Sequence, residues 1–455
     1  MDRSSSGGNR SHSRSLETLV VNLASLCCGM QISWTSPCLP KISEQSQLPN
    51  NPLGRIITIE EASWIGSLLA VGGCLGTKVV EWLVDNIGRK KTLLFASIIP
   101  FIVAHILFSL GQYVVYYYLA RILAGIAVSC VYSVVPIYLA EIAENCNRGF
   151  LCCTMITFQA LGHLVTYIMG YIMDFVTFAR FSLAAVLVTG VMIFSLIPES
   201  PYYLVSVGKE QEAEKALIRL RATVGRGIQN ELNLIVFLVE GFEGSALKKA
   251  YILSISLVVF QTLSGISPVL CYTQKIFSDA GTSLEPAVCV IIIGFVQLTV
   301  GSITPQLVDL YGRKIMLFTS SLGACVAQFA LSVYFYYKQK ESETILSTIS
   351  WIPIPALVTF MIFYFIGLGP LVWTVMAEVF PNEDKAAAAS LIVMISWVFT
   401  FILCKFFEPI GEIIGMSGVF LFFAVSNLVS AVFCAVYLIE TKGKNFQQIQ
   451  RLLRQ

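Results

Sequence analysis

The chain has 455 residues, 56% hydrophobic and 13% charged, where an average soluble domain carries about 25% charged residues. Its mean hydropathy is +0.75, so it could not cover a soluble surface with polar groups. With 30 Lys and Arg against 28 Asp and Glu, no basic surplus exists for a nucleic-acid partner. What remains is a polytopic all-α membrane protein with the lipid bilayer as a partner, long enough for roughly a dozen spans.

In chain order, residues 1–16 are mostly Ser, Gly, Asn and Arg. They read as a soluble tail, without the apolar core of a cleaved signal peptide. Spans are predicted near 17–38, 62–82, 92–110, 115–138, 150–173 and 179–197, a first bundle within 17–206. A polar linker follows at 207–249, where Ala216, Leu217 and Leu220 recur at helical spacing and predict short amphipathic helices at the membrane face. Six more spans are predicted near 250–277, 285–308, 315–337, 352–379, 387–407 and 415–438, a second bundle within 250–439. Residues 440–455 form a polar tail. The apolar runs are continuous, not alternating, which argues against a closed barrel.

Lys and Arg concentrate in the segments that share a side with the N-terminus: Arg3, Arg10, Arg14, Arg89, Lys90, Lys91, Arg148, Arg313, Lys314 and the linker. That asymmetry predicts both termini in the cytoplasm. The sequon Asn9-Arg10-Ser11 then lies inside and stays unmodified. Cysteines such as Cys27, Cys28, Cys152, Cys153, Cys325 and Cys434 sit in apolar runs and read as small packing residues. His12, His105 and His163 form no metal-ligand cluster, and no metal or cofactor is expected.

An internal repeat is visible. Asp85-Asn-Ile-Gly88-Arg89-Lys90 follows the second span, and Asp309-Leu-Tyr-Gly312-Arg313-Lys314 follows the eighth. Glu141 precedes Arg148 by seven residues, and Glu378 precedes Lys385 by the same spacing. Glu199 and Glu440 lie just beyond the sixth and twelfth spans. These acids are expected to pair with the loop cations and form a latch that holds the two bundles together at the cytoplasmic face. Parallel six-span repeats are one build of secondary transporters, with the substrate between the halves near the midplane.

At this point the sequence resembles the sugar porter family of the major facilitator superfamily. The resemblance rests on DNIGRKK (85–91), PIYLAEIAENCNRG (136–149), PESP (198–201), QTLSGIS (261–267), DLYGRK (309–314), GLGPLVWTVMAEVFP (367–381) and ETKG (440–443), in the family's order. The general look is nearest the insect facilitated trehalose transporter-like group. Tyr202 stands where the family has Arg, Ile439 where it has Pro, and Thr262 and Ser267 where it has Gln and Asn. These departures bear on substrate range and on transport competence.

A sugar offers hydroxyls and apolar CH faces, so its site needs mid-span amides, hydroxyls and an aromatic plate. Gln159, Gln261, Gln297 and Trp373 meet that need. By the resemblance, Gln159, Gln261 and Trp373 fall on sugar-contacting positions, Gln297 replaces a family Asn, and Thr262 and Ser267 are lesser members. Gly367, Gly369 and Pro370 interrupt the tenth span and would free backbone groups beside a cavity. Interhelical hydrogen bonding of each Gln, and plain packing of Trp373, are the competing readings.

Where proton-coupled relatives carry an Asp, this chain has Gln31, and no Asp or Glu lies between Thr18 and Ser43. The expectation is therefore uniport of a hexose or trehalose across the plasma membrane by a monomer. A non-transporting sugar receptor and a proton-coupled symporter remain open. An enzyme is disfavoured, because no Ser/His/Asp set, phosphate loop or metal cluster appears in the sequence. A channel lacks its ring of acids or carbonyls.

Overall fold

In the computed structural model the described residues are 6–43, 51–142, 148–221, 247–282, 284–340, 348–380, 382–442, 444, 448, 449, 451 and 452. The side chains of Arg148, Asp309 and Lys385 lie outside those described, as does most of the linker. Among the described residues the regular structure is helical, without strands.

Among the described residues eleven helices are long and apolar enough to cross a membrane: Leu16–Ser43, Ile59–Ile87, Arg89–Leu110, Val114–Ile142, Thr154–Ile172, Phe175–Leu196, Leu247–Ala280, Pro286–Val308, Arg313–Gln339, Pro353–Met376 and Ala388–Val436. The last has 49 residues, a length of about 74 Å at 1.5 Å per residue, more than twice the hydrocarbon thickness of about 30 Å. Gly415 breaks it with φ 77°, which divides it into an eleventh and a twelfth crossing. The architecture is two sets of six spans, as the sequence pattern predicts. Several helices run a turn beyond the predicted apolar windows, because they continue into polar residues that suit the membrane surface.

Local chemistry sets the ends. Thr58 opens the second span with a capping box, accepting from Glu61 N at 3.1 Å while its own N–H donates to Glu61 Oε2 at 2.9 Å. Asp174 caps the sixth span by accepting from Thr177 N at 3.1 Å. Gly88 and Gly312 end the second and eighth spans at φ 90° and 82°, a region open to glycine and costly for residues with a Cβ. We call the end of the bundle bearing these two glycines the basic face, and the other end the opposite face.

Within the first set the second span packs on the fourth and the first on the fifth; the two sets meet where the second packs on the eleventh and the fifth on the eighth. Apolar side chains also face outward at about one-turn intervals. Val188, Val191 and Phe194 on the sixth span, and Val425, Val429 and Val432 on the twelfth, are at least half exposed. Such stripes suit lipid and would be a liability in water. In the linker, Glu210–Arg221 is a helix, as predicted. Ala213, Ala216 and Leu217 bury against Leu204, and Tyr202 packs on that cluster. Arg219 pairs with the buried Glu17 at 3.3 Å, tying this helix to the first span. Ile439 packs on the main core. The departures at Tyr202 and Ile439 are thus apolar packing residues in this chain.

Candidate functional site

The site is built around helices that cannot stay regular. The tenth span carries a π-helical turn at Tyr364–Leu368, and a new helix starts at Gly369. Pro370 has no N–H to give to the preceding turn, so carbonyls there need other donors. Thr304 serves Phe365 O in that turn, while Gln261 of the seventh span grips the start of the new helix, donating from Nε2 to Leu368 O at 2.7 Å and Gly369 O at 3.0 Å. Ser320 Oγ donates to Phe363 O at 2.6 Å and accepts from Leu368 N at 2.9 Å, and Thr304 donates to Phe365 O at 3.0 Å. The interruption expected at Gly367, Gly369 and Pro370 is therefore present, and it is pinned by side chains from three other spans.

Facing it from the first set, Gln159 Nε2 donates to the Tyr132 hydroxyl at 2.7 Å. The Tyr132 ring lies 6.5 Å from Trp373 and 6.2 Å from Trp397, centroid to centroid. Gly73 on the second span lies directly against Trp397, and a Cβ at that position would meet the indole within 3 Å. Trp397 Nε1 is buried and without a partner, so a donor is left over beside this aromatic group. Gln159, Trp373 and the broken tenth span thus converge across the two sets.

The other expected site residues are engaged differently. Gln297 Oε1 meets His163 Nδ1 at 2.9 Å, and its Nε2 donates to Met361 Sδ at 3.3 Å. Thr262 donates to Val258 O at 2.9 Å and contacts Ser396 Oγ at 3.3 Å, and Ser267 meets Thr400 at 3.4 Å. Both hydroxyls bridge the seventh and eleventh spans, where the longer family amides would reach further. Sequence reasoning missed Tyr132, His163 and Trp397. His163 is four residues from Gln159, so both lie on one helix face; that spacing was the available signal. His163 Nε2 and the Tyr167 hydroxyl are buried and without partners.

Nearer the opposite face, Arg121 is fully buried. It donates to Ile65 O at 3.0 Å and Gln31 O at 2.8 Å, and its guanidinium lies 5.7 Å over the Trp34 ring. Gln31 Nε2 lies 2.8 Å from His105 Nε2. No carboxylate joins this group among the described residues. A cavity of about 320 Å³ opens toward the same face, lined by Lys41, Tyr167, Asp174, Gln274 and Glu285 among others.

The basic face repeats residue for residue. Arg89 grips Glu141 through Nε at 3.1 Å and Nη2 at 2.9 Å, and the Arg89 and Lys90 N–H groups donate to Glu199 at 2.8 and 3.1 Å. Arg313 Nη2 meets Glu378 at 2.8 Å, and the Arg313 and Lys314 N–H groups donate to Glu440 at 3.0 Å each. Each carboxylate at these N–H groups sits on the positive end of a helix. A side chain at Gly88 would strike Glu199 and Tyr203, and one at Gly312 would strike Glu440. Burial by itself raises the Glu440 carboxyl, but the N–H groups of Lys442, Lys314 and Arg313 outweigh it and hold it below the usual range.

The expectation of a latch between the halves needs correction here. These pairs join helices of one set, because each DxxGRK loop lies beside the end of its own fourth-repeat helix and its own trailing acid. Asp85 is exposed and joins neither cluster. A contact that does cross between the sets near this face is Ser390 Oγ donating to Glu81 at 2.7 Å. The expected partners Arg148, Asp309 and Lys385 lie outside the described side chains.

The family profile described as sugar (and other) transporter matches residues 30–453. The chain belongs to this family. It is 32% identical to the facilitated trehalose transporter Tret1 of Drosophila willistoni over 96% of this chain and 50% of that protein. To the Tret1 of Culex quinquefasciatus it is 31% identical, over 96% and 85%. The chain spans about half the length of several curated relatives it matches. The fold is similar to that of the major facilitator proton:xylose symporter XylE bound to 6-bromo-6-deoxy-D-glucose. That match has a TM-score of 0.79 at 20% identity and covers 98% of this chain and 100% of the other. It places the chain among multi-pass membrane proteins of the major facilitator fold.

Proposed function

We propose that this protein is a facilitative transporter of a hexose or of trehalose in the plasma membrane, working by alternating access with the basic face and both termini in the cytoplasm. The observation that carries the reading is the convergence of Gln159, Tyr132 and Trp373 on the broken tenth span, where Gln261 grips the carbonyls of Leu368 and Gly369. Uncharged amides and flat rings suit hydroxylated, neutral solutes. The names of the Tret1 relatives support trehalose. The charge clusters stiffen the basic end of each set of six, and the sets rock about the contacts between spans two and eleven and spans five and eight, with the bend of the seventh span at the other end left to move. The lysines and arginines of the basic face favour the cytoplasmic side.

Uniport is favoured because the buried Arg121 group contains Gln31 in place of an acid that could carry a proton. A second reading is proton coupling through His105, which touches Gln31 and whose Nδ1 is buried without a partner; the name of XylE as a proton:xylose symporter is in line with it. Uptake of radiolabelled sugars into proteoliposomes decides between them. Saturable, stereospecific uptake that ignores an imposed pH gradient is expected. Accumulation driven by that gradient would establish symport, and sugar binding without uptake would establish a receptor.

A further inference from the structure

The seventh span leaves helical geometry at Tyr272, with φ −119° and ψ 18°. Beside this bend, Cys271 Sγ lies 3.9 Å from Cys404 Sγ on the eleventh span. The bend is clamped to that span again by its neighbours: the Tyr272 hydroxyl donates to Cys404 O at 3.2 Å, and its ring stacks on Phe407 at 5.4 Å. The two sets also meet in this region. Gly66 of the second span packs on the Tyr272 hydroxyl, Lys405 donates to Ser63 at 2.8 Å, and Gln274 N donates to Ser36 at 3.3 Å. Opening the opposite face has to part the seventh and eleventh spans from the first and second at these contacts.

Arg121 brings a charge to the same place. It is fully buried, it donates to Ile65 O at 3.0 Å beside the Gly66 that packs on Tyr272, and its Nη2 has no partner. A buried guanidinium facing carbonyls alone is under-compensated. A cation beside a thiol favours the thiolate, which is the reactive form.

We propose that Cys271 and Cys404 are a peroxide-sensitive dithiol, activated by Arg121, whose disulfide ties the bend of the seventh span to the eleventh and holds the opposite face shut. The Cys271 thiolate attacks one oxygen of hydrogen peroxide; the O–O bond breaks, and the departing hydroxide takes the thiol's proton to leave as water. Cys404 sulfur then attacks the Cys271 sulfenic acid; the S–S bond forms, the S–O bond breaks, and a second water leaves with the Cys404 proton. Two thiols lose two electrons, and one peroxide becomes two waters. The sulfurs must close from 3.9 Å to about 2.05 Å. Both thiols are nearly buried, so peroxide reaches them while the gate is open.

The chemical site stands apart from the transport reading, whereas the effect on the gate rests on it, and the test separates the two. Membrane vesicles holding the full chain are treated with hydrogen peroxide, alkylated, digested and analysed by mass spectrometry. A Cys271–Cys404 disulfide is expected in the wild type and absent in Cys404→Ser. Arg121→Gln should slow its formation about tenfold, while Arg121→Lys keeps the rate, since the charge near the thiol sets the thiolate fraction. In parallel, radiolabelled sugar uptake should fall about tenfold on oxidation, recover with dithiothreitol, and stay unaffected in Cys271→Ser. No cross-link in the wild type overturns the dithiol. A cross-link with unchanged uptake overturns the gate. A cross-link in vesicles that take up no sugar even before treatment supports the dithiol and overturns the transport reading instead.

Discussion

The basic face and the midplane treat the internal repeat in opposite ways. At the basic face Arg89, Glu141 and Glu199 of the first set have counterparts in Arg313, Glu378 and Glu440. At the midplane the sets diverge: Gln159 reaches a tyrosine, Gln261 reaches backbone, and Gln297 reaches a histidine. The repeat is kept where both sets need the same rigid corner. It is lost at the midplane, where the proposed sugar would be gripped from two unlike sides.

The sharpest way to break this comparison is at the better buried corner. Arg89→Ala leaves Glu141, whose side chain is 13% exposed, without its cation and should cost about 3 kcal/mol, read as a lowered melting temperature of purified protein. Arg313→Ala should cost visibly less, because Glu378 is 26% exposed and also accepts from Thr441 at 2.6 Å. Equal losses would show that the repeats are not graded by burial. Next comes Gln261→Ala. It removes two hydrogen bonds at the helix junction and a proposed site amide, so stability should fall by about 1–3 kcal/mol together with sugar uptake. Gln159→Ala should reduce uptake with little change in melting.

His163→Ala should weaken sugar uptake by about tenfold if a sugar hydroxyl uses its open Nε2, roughly one charge-free hydrogen bond; an unchanged Michaelis constant and rate would remove His163 from the site. The smallest effect concerns acidity. The folded carboxyl of Glu440 lies below its unfolded value of 4.5, so its contribution is present above that pH and fades as pH falls through the folded value. Wild type should therefore lose melting temperature on acidification below about pH 4.5 more steeply than Glu440→Gln; parallel curves would refute the assignment.

Most of the architecture was legible because hydrocarbon imposes long apolar runs, and because Gly88, Gly312 and their cations recur at matching places. The helix interruption was legible from Gly367, Gly369 and Pro370, since Pro must leave a carbonyl unserved. Partner choice was not. An acid and an arginine in a sequence do not say whether they meet across two bodies or inside one, and the pairing of Arg89 with Glu141 depends on how the fourth helix leans over the loop. Nor could spacing reveal that Thr262 and Ser267 are too short to reach past the eleventh span.

The π-helical turn at Tyr364–Leu368 carries one residue more than an α-turn would need. Each residue rotates an α-helix by about 100°, so the extra one sets the compass bearing of everything after it, Trp373 included. Deleting a single residue there would restore a regular coil and swing the indole toward a different neighbour. The direction in which this protein points its largest ring is thus decided by a surplus of one.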